Sequence, residues 1–159
     1  MENPLLTEST LPYGAPQFDK IRNEHYLPAF QTACGAADIL SHLEERYFTN
    51  VTDNDLTDKW LEGAMRLTIQ TAEMLVLHPQ DTNLRAQLML TATLGHNGLL
   101  DRGRAGGDWA CHRLEHELSG LYDVAHGAGL AVMMPAWMEF VMSHNIMRFA
   151  QMAVRVFGV

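Results

Sequence analysis

Three histidines and two glutamates lie within sixteen residues, from His112 to Gly127, in the segment HRLEHELSGLYDVAHG. Imidazole nitrogens and carboxylate oxygens bind Zn(II) and Fe(II), and the same groups serve in proton transfer. His112 and His116 stand four residues apart, so on a helix their side chains project from one face. His126 follows fourteen residues after His112. The segment therefore predicts metal or acid–base chemistry.

Asp38 and His42 form a second pair with the same four-residue spacing, in DILSH. If one unbroken helix ran from His112 to His126, its rise of ~1.5 Å per residue would separate them by ~21 Å, whereas the ligands of one ion lie within a few Å of each other. A break is therefore required. We predict this break at Gly120, where a turn would bring His126 back toward His112.

Spacing alone leaves a second interpretation open, in which these histidines are ordinary surface or core residues. A chain with eight histidines places some of them at i, i+4 by chance. Four further histidines lie near a predicted helix end or lack a ligand-type neighbour at helical spacing, and we interpret them as non-ligands: His25, His78, His96 and His144. Cys111 is interpreted as a small buried hydrophobe, because a two-thiolate site would need Cys34 beside it.

The string H-x-x-E-H, from His112 to His116, is also the motif of inverzincin metallopeptidases, with Glu115 as the catalytic base and a distant glutamate as third ligand. Only 43 residues follow His116, and such enzymes usually supply that glutamate farther along a longer chain. Short motifs also match often by chance. If His112 is instead paired with His126, Glu115 is expected to be an acid on the helix surface.

Composition narrows the class of protein. The 159 residues suit one domain with a sizeable core. The net charge of −8, from 19 acidic and 11 basic residues, argues against a nucleic-acid or anionic-membrane partner. The longest apolar run, 128–142, is shorter than the ~20 residues of a membrane span, so we expect a buried helix there. Two isolated cysteines and the absence of a signal-like start favour a reduced, cytoplasmic setting.

The composition of the chain changes near residue 30. Four of the six prolines lie in the first 28 residues, which predicts an extended N-terminal arm over 1–30, with at most a short helix near its end. Residues 31–159 have the composition and periodicity of an all-α helical bundle. The predicted helices span 31–48, 55–77, 82–100, 108–119, 127–142 and 145–157. The predicted inward face of the second helix consists of Leu61, Ala64, Met65, Ala72, Leu75 and Val76.

Three segments carry a resemblance: QTACGAADILSHLEERYFT, RAQLMLTATLGHNGLL and DWACHRLEHELSGLYDVAHGAGLAVMMPAWMEF. Together they resemble the helical domain of the iron-containing (group III) alcohol dehydrogenases, in the branch of butanol dehydrogenases and NADPH-dependent aldehyde reductases. The resemblance covers about 31–159. It implies a divalent ion, Fe(II) or Zn(II), held by Asp38, His42, His112 and His126. His116 matches a position near the substrate and nicotinamide that is not a primary ligand, which implies either a catalytic, proton-relaying role or the role of a plain packing histidine.

The same resemblance implies an activity. The ion would act as a Lewis acid on the oxygen of a small alcohol or aldehyde while hydride passes between the substrate and NADPH. Trp109 is expected either to line the substrate pocket or to pack in the core. The family's nucleotide-binding α/β domain normally precedes the first metal motif, yet only thirty residues precede Gln31. The cluster GRAGGD follows a helix and not a strand, so it is a poor phosphate cradle.

We therefore expect a truncated chain without an NADPH-binding domain, which binds metal but is inactive in hydride transfer. The alternative is a non-catalytic helical remnant that binds metal or forms homo-oligomers through exposed apolar helix faces. Residues 2–30, NPLLTESTLPYGAPQFDKIRNEHYLPAF, resemble the start of oligopeptidase A and the peptidyl-dipeptidases. They bring no H-E-x-x-H site, because HELSG lacks the second histidine. A fusion near Phe30 and Gln31 is the expected origin.

Overall fold

The structure is a computed structural model that describes residues 23–159, with side chains from Ala29 onward. Every regular element in this range is helical, as predicted. The α-helices are α1 (Asn23–Tyr47), α2 (Asp55–Leu77), α3 (Thr82–His96), α4 (Ala110–Tyr122), α5 (His126–Val141) and α6 (Ile146–Met152). Two 3₁₀ helices, Leu99–Asp101 and Met142–His144, and a π-helical turn, Ala153–Phe157, complete the described chain.

The first helix is longer than predicted. It begins at Asn23, whereas the sequence predicted a start near Gln31. Three of the four N-terminal prolines precede Asn23, so the proline-poor part of the predicted arm follows the helix-forming preference of its Glu, Leu and Ala residues. Helix α1 thus runs without interruption across the predicted boundary near residue 30. The remainder of the predicted arm, 1–22, lies outside the described residues.

Helix α2 confirms the predicted inward face. Leu61 and Met65 are fully buried and Leu75 is nearly so, while Ala72 and Val76 are half-buried. This face packs against Ile39, Leu43 and Tyr47 of α1 in the main core cluster. Burial of each large apolar side chain stabilises the fold by about 1.5 to 3 kcal/mol. The α1–α2 pair is therefore the frame on which the other helices are positioned.

Helix α3 ends earlier than predicted. Asp81 caps its start, since Oδ1 accepts hydrogen bonds from the amides of Asn83 and Leu84 at 2.8 and 3.0 Å. The helix stops at His96 because Gly98 takes a left-handed conformation, with φ of 71°. The change of direction leaves Leu99 exposed and buries Leu100.

The break between α4 and α5 is not at Gly120. Helix α4 continues through Gly120 to Tyr122, since one glycine costs a helix only about 1 kcal/mol. Asp123 ends the helix in the left-handed region, with φ of 54°, and its amide donates to the Ser119 carbonyl at 3.1 Å. Aspartate tolerates this conformation better than most residues. His126 is consequently the first residue of α5.

Helix α5 carries the long apolar run but buries only one face. Leu130 and Met134 pack with Cys111 of α4, whereas Val132 and Phe140 are 67% and 85% exposed. The prediction of a buried helix is therefore only half correct, because the described helices pack against one side of α5. Within residues 23–159, none of the helices combines the length and the apolar composition that a bilayer crossing requires.

Candidate metal centre

Helix α1 presents Asp38 and His42 one turn apart on the face that meets α4 and α5. The Nε2 atom of His42 lies 3.6 Å from Oδ1 of Asp38. Gly95 of α3 packs beside His42, where an added Cβ would lie 3.7 Å from the His42 Cβ. The predicted i, i+4 pair therefore forms, and it lies at the junction of several helices.

His112 from α4 and His126 from α5 complete the group. Their Nε2 atoms lie 3.9 and 3.6 Å from the same Oδ1 of Asp38. Gly127 permits this approach, because a Cβ at that position would overlap the Cys34 carbonyl of α1. Residues from three helices thus meet at one point, and all four predicted ligands are among them.

The atoms that meet there do not satisfy one another. Contacts of 3.6 to 3.9 Å are too long for hydrogen bonds. Within the described chain, Oδ1 of Asp38 and Nε2 of His112 are buried and have no hydrogen-bond partner. Buried polar atoms are nearly always paired, so two adjacent exceptions at one point need an explanation.

Glu45 determines how His112 is oriented. Its Oε1 atom accepts hydrogen bonds from the ring Nδ1 of His112 at 3.2 Å, from the amide of Cys111 at 2.9 Å and from the amide of His112 at 3.2 Å. A carboxylate at the first amides of α4 also complements the helix dipole. Helix α1 therefore supplies two potential ligands and the carboxylate that holds a third.

Glu115 does the same for His126. The prediction of a surface acid is wrong, because Glu115 is fully buried between α4 and α5. Its Oε2 atom accepts a hydrogen bond from the ring Nδ1 of His126, and its Oε1 atom accepts one from the Ser119 hydroxyl. Gly129 makes room for it, since a Cβ there would collide with the Glu115 side chain. Sequence spacing gave no signal for this contact, which joins two helices.

The two carboxylates also determine which ring nitrogen faces Asp38. Nδ1 of His112 and of His126 donates to a carboxylate, which directs the remaining nitrogen, Nε2, of each ring toward Asp38. Burial, followed by the nearby His112 and His96, lowers the pKa of His42 to about 3, so the His42 ring is neutral near pH 7. One carboxylate oxygen and three imidazole nitrogens facing one point are a ligand set that fits Fe(II) or Zn(II).

His116 and Trp109 lie at the edge of this group. His116 is exposed, and its ring centroid is 5.3 Å from that of His126. The Trp109 ring meets His42 and His112 edge-on, with centroid distances of 5.4 and 5.2 Å. Trp109 adopts a left-handed backbone conformation, with φ of 59°, immediately before α4. Such conformations are costly for a large residue and are concentrated at functional sites.

His96 is a neighbour that sequence analysis set aside. Its ring centroid lies 3.9 Å from that of His42, although the two residues are on different helices. The Nδ1 atom of His96 lies 2.7 Å from the Ala92 carbonyl of its own helix. The spacing of residues within α3 could not predict that His96 lies next to His42, because His42 belongs to α1.

Cys111 lies next to His112 but faces the core. It is fully buried, its Sγ lies 3.6 Å from Sδ of Met134, and burial raises the pKa of its thiol to about 12. Cys34 and Cys111 are both free. The geometry also separates the H-x-x-E-H residues, because His112 faces Asp38 while Glu115 is bonded to His126.

Fold and site together define a class of protein, an all-α domain that directs one carboxylate and three imidazoles to a common point. The profile of the Fe-containing alcohol dehydrogenase family, C-terminal, matches residues 32–159. The chain therefore belongs to the Fe-containing alcohol dehydrogenase family.

Individual relatives agree with this assignment. The chain is 39% identical over 137 residues to a probable NADH-dependent butanol dehydrogenase 1 of Bacillus subtilis, a match that covers 86% of this chain and 35% of the relative. Among solved structures, it is similar to NADH-dependent butanol dehydrogenase A of Thermotoga maritima, with 44% identity and a TM-score of 0.80 over 84% of this chain and 33% of that one. The chain thus spans about a third of the length of these relatives.

A different relative matches only a short stretch. The dipeptidyl carboxypeptidase of Escherichia coli is 68% identical over 28 residues, which are 18% of this chain and 4% of that enzyme. Such a short match carries no catalytic assignment.

Proposed function

We propose that this chain binds one divalent ion, Fe(II) or Zn(II), through Asp38, His42, His112 and His126, as the metal domain of an alcohol or aldehyde oxidoreductase that depends on NADH or NADPH. The observation that carries the proposal is a pair of buried atoms, Oδ1 of Asp38 and Nε2 of His112, that have no hydrogen-bond partner among the described residues. A bound cation would satisfy both atoms at once. When bound, the ion supplies Lewis acidity for an alcohol or aldehyde oxygen.

The remaining residues position the reactants. Trp109 limits one side of the site through its edge contacts with His42 and His112. The guanidinium of Arg46 stacks over the indole, 4.6 Å from the ring centroid, in a cation–π contact. His116 is exposed beside His126, where it could exchange a proton between a bound alcohol and water. We therefore assign His116 the proton-relay role and Trp109 the role of a pocket wall.

We propose that hydride transfer requires residues in addition to the described helices. The relatives named for NADH dependence are covered to only about a third of their length, so the described helices correspond to one part of a larger catalytic unit. We propose that residues 31–159 form the metal domain, that 1–30 derive from a peptidase-like sequence, and that this chain alone does not oxidise NADPH. The short peptidase match supports the second assignment.

Two further assignments follow from composition and exposure. Free Cys34 and Cys111 favour a reducing, cytoplasmic setting. Large apolar side chains such as Val132, Phe140 and Met147 are exposed, and exposed apolar surface favours association. We therefore propose homo-oligomers through the exposed side of α5 and the segment that follows it.

Metal analysis tests the central proposal. Purified protein is stripped with a chelator, reloaded with Fe(II) or Zn(II) under nitrogen, and its metal content measured by mass spectrometry. Wild type is expected to retain one ion per chain, whereas Asp38→Ala and His126→Ala lose it, because each removes a member of the ligand set. His78→Ala, which removes an exposed imidazole outside the proposed ligand set, is the matched control.

Equal metal content in the wild type, Asp38→Ala and His126→Ala would rule out this ligand set. A butyraldehyde assay separates the second part of the proposal from the first. Oxidation of NADPH by the chain alone would contradict the claim that hydride transfer needs further residues, and it would leave the metal site intact.

A further inference from the structure

Two buried carboxylates lie beside the candidate metal centre. Each contacts one histidine at the ring nitrogen that does not face Asp38. Glu45 is 2% exposed and Glu115 is fully buried, although glutamate is rarely buried without a specific partner. Each accepts a hydrogen bond from an Nδ1 atom, Glu45 from His112 and Glu115 from His126. The Nε2 atoms of the same two rings face Asp38.

We propose that Glu45 and Glu115 are positioning residues that hold His112 and His126 in the tautomer and orientation required to bind the ion through Nε2. The role rests on the proposed metal site. A hydrogen bond from Nδ1 to a carboxylate keeps the proton on Nδ1 and leaves the lone pair on Nε2, and it also makes the imidazole a more basic ligand. Glu45 and Glu115 therefore do not bind the ion themselves.

Each carboxylate is itself held by neighbours. Oε1 of Glu45 is fixed by the amides of Cys111 and His112. The carboxylate of α1 is thus bound to the same first turn of α4 that carries the ring it orients. Oε1 of Glu115 is fixed by the Ser119 hydroxyl, and Gly129 provides the space for its side chain. These contacts leave little rotational freedom to either acid, as a positioning role requires.

His42 provides an internal contrast. Its Nδ1 atom is buried and has no hydrogen-bond partner within the described chain. His42 is instead fixed by packing, between the His96 ring at 3.9 Å and the His112 ring at 4.3 Å between centroids. The positioning role is thus specific to the two histidines that come from α4 and α5.

The role also distinguishes two neighbouring groups of possible ligands. Asp38, His42 and His112 form one compact group, while Glu115, His116 and His126 form another. The Nε2 atom of His126 faces Asp38 of the first group. Its Nδ1 atom donates a hydrogen bond to Glu115 of the second group, which orients the ring. The structure therefore favours one ion per chain.

Metal affinity is the first test. Zn(II) competition with a chromophoric chelator is measured for wild type, Glu115→Gln, Glu45→Gln and Glu117→Gln. Glu117 is exposed on the same helix as Glu115, so its substitution matches the change in charge without touching a ligand. Glu115→Gln and Glu45→Gln are expected to weaken Zn(II) binding about 10- to 100-fold, and Glu117→Gln to leave it unchanged. Wild-type affinity in both buried variants, with folded far-ultraviolet spectra, overturns the proposal.

The second test uses the metal-free wild type and does not depend on the folding of any variant. Long-range ¹H–¹⁵N spectra recorded at about pH 8.5, where imidazoles are neutral, report the tautomer of each ring. His112 and His126 are expected to carry the proton on Nδ1, and protons on Nε2 overturn the proposal. If Asp38→Ala does not alter metal binding, the proposed ligand set fails while the tautomers still decide the positioning role. If the ligand set holds and the tautomers are reversed, only the positioning role fails.

Discussion

Two aspartates on neighbouring helices lie in opposite surroundings. Asp58 of α2 is almost fully buried and is surrounded by donors: Arg104, Arg148 and Gln151 all hydrogen-bond to its oxygens. Burial alone would raise the pKa of Asp58, but the hydrogen bonds and charges of Arg148 and Arg104 outweigh it and lower that pKa to about 2. Asp58 thus has protein cations that match its charge.

Asp38 of α1 has no such donors at its Oδ1 atom within the described chain. Its Oδ1 atom faces the Nε2 atoms of three imidazoles at 3.6 to 3.9 Å without a hydrogen bond. The difference teaches how to distinguish a structural carboxylate from a ligand. A structural carboxylate such as Asp58 is neutralised by the protein, whereas Oδ1 of Asp38 stays unpaired within the described chain, as the proposed metal site requires.

The largest expected effect is the loss of stability in Asp58→Ala. Removing the carboxylate leaves two buried guanidinium groups without an anion, which typically costs 3 to 5 kcal/mol. Asp38→Ala in the metal-free protein is expected to change the free energy of unfolding by less than about 1 kcal/mol, because no pairing is lost. Urea denaturation of the chelator-treated proteins measures both values. Equal losses in the two variants would remove the distinction between the two aspartates.

A somewhat smaller effect is the stabilisation by metal. Zn(II) at about 100 times its dissociation constant is expected to raise the free energy of unfolding of the wild type by about 2.7 kcal/mol, since only the folded state assembles the site. The Asp38→Ala variant should gain nothing. Asp58→Asn, if folded, should gain as much as wild type. Thermal denaturation with and without Zn(II) provides the measurement, and a gain in Asp38→Ala would contradict the assignment.

The loss of unfolding free energy at acid pH should depend on Asp58. Because its pKa is lower in the folded state than the ordinary value of 3.8, its contribution is complete above about pH 4 and is lost as the pH falls toward 2. The difference in unfolding free energy between wild type and Asp58→Asn should shrink by roughly 2 kcal/mol between pH 5 and pH 2.5. Urea denaturation at several pH values measures it. A difference that does not vary with pH would mean that Asp58 is not ionised by its arginines.

The smallest expected effect is that of Ser119→Ala. It removes one hydrogen bond to the buried carboxylate of Glu115, so a loss of about 1 kcal/mol is expected. Ser143→Ala, at an exposed serine after α5, is the control and should be neutral. Chemical denaturation detects differences of this size. No loss in Ser119→Ala would mean that Glu115 is held by His126 alone.

The sequence predicted the contacts that repeat along one helix and the approach of His126 to His112, and it missed the other contacts that join two helices. Asp38 and His42 followed from i, i+4 spacing, and the prediction that His126 approaches His112 followed from the limited reach of a metal ion. Glu45, Glu115 and His96 did not follow, because their partners lie on other helices at no fixed separation in sequence. The helical fold class was predictable from composition and periodicity. The turn at Asp123 was not, since Gly120 offered a more flexible backbone three residues earlier.

The distribution of the four candidate ligands over the chain has a consequence for the order of folding. Asp38 and His42 share one helix and are adjacent as soon as that helix forms, while His112 lies in the first turn of α4 and His126 begins α5, the two helices of one hairpin. Local contacts generally form before distant ones. The hairpin must dock on α1 before the four side chains meet, so uptake of the ion should be a late kinetic event. A rapid-mixing experiment with a fluorescent zinc indicator would then report the docking of this hairpin in real time.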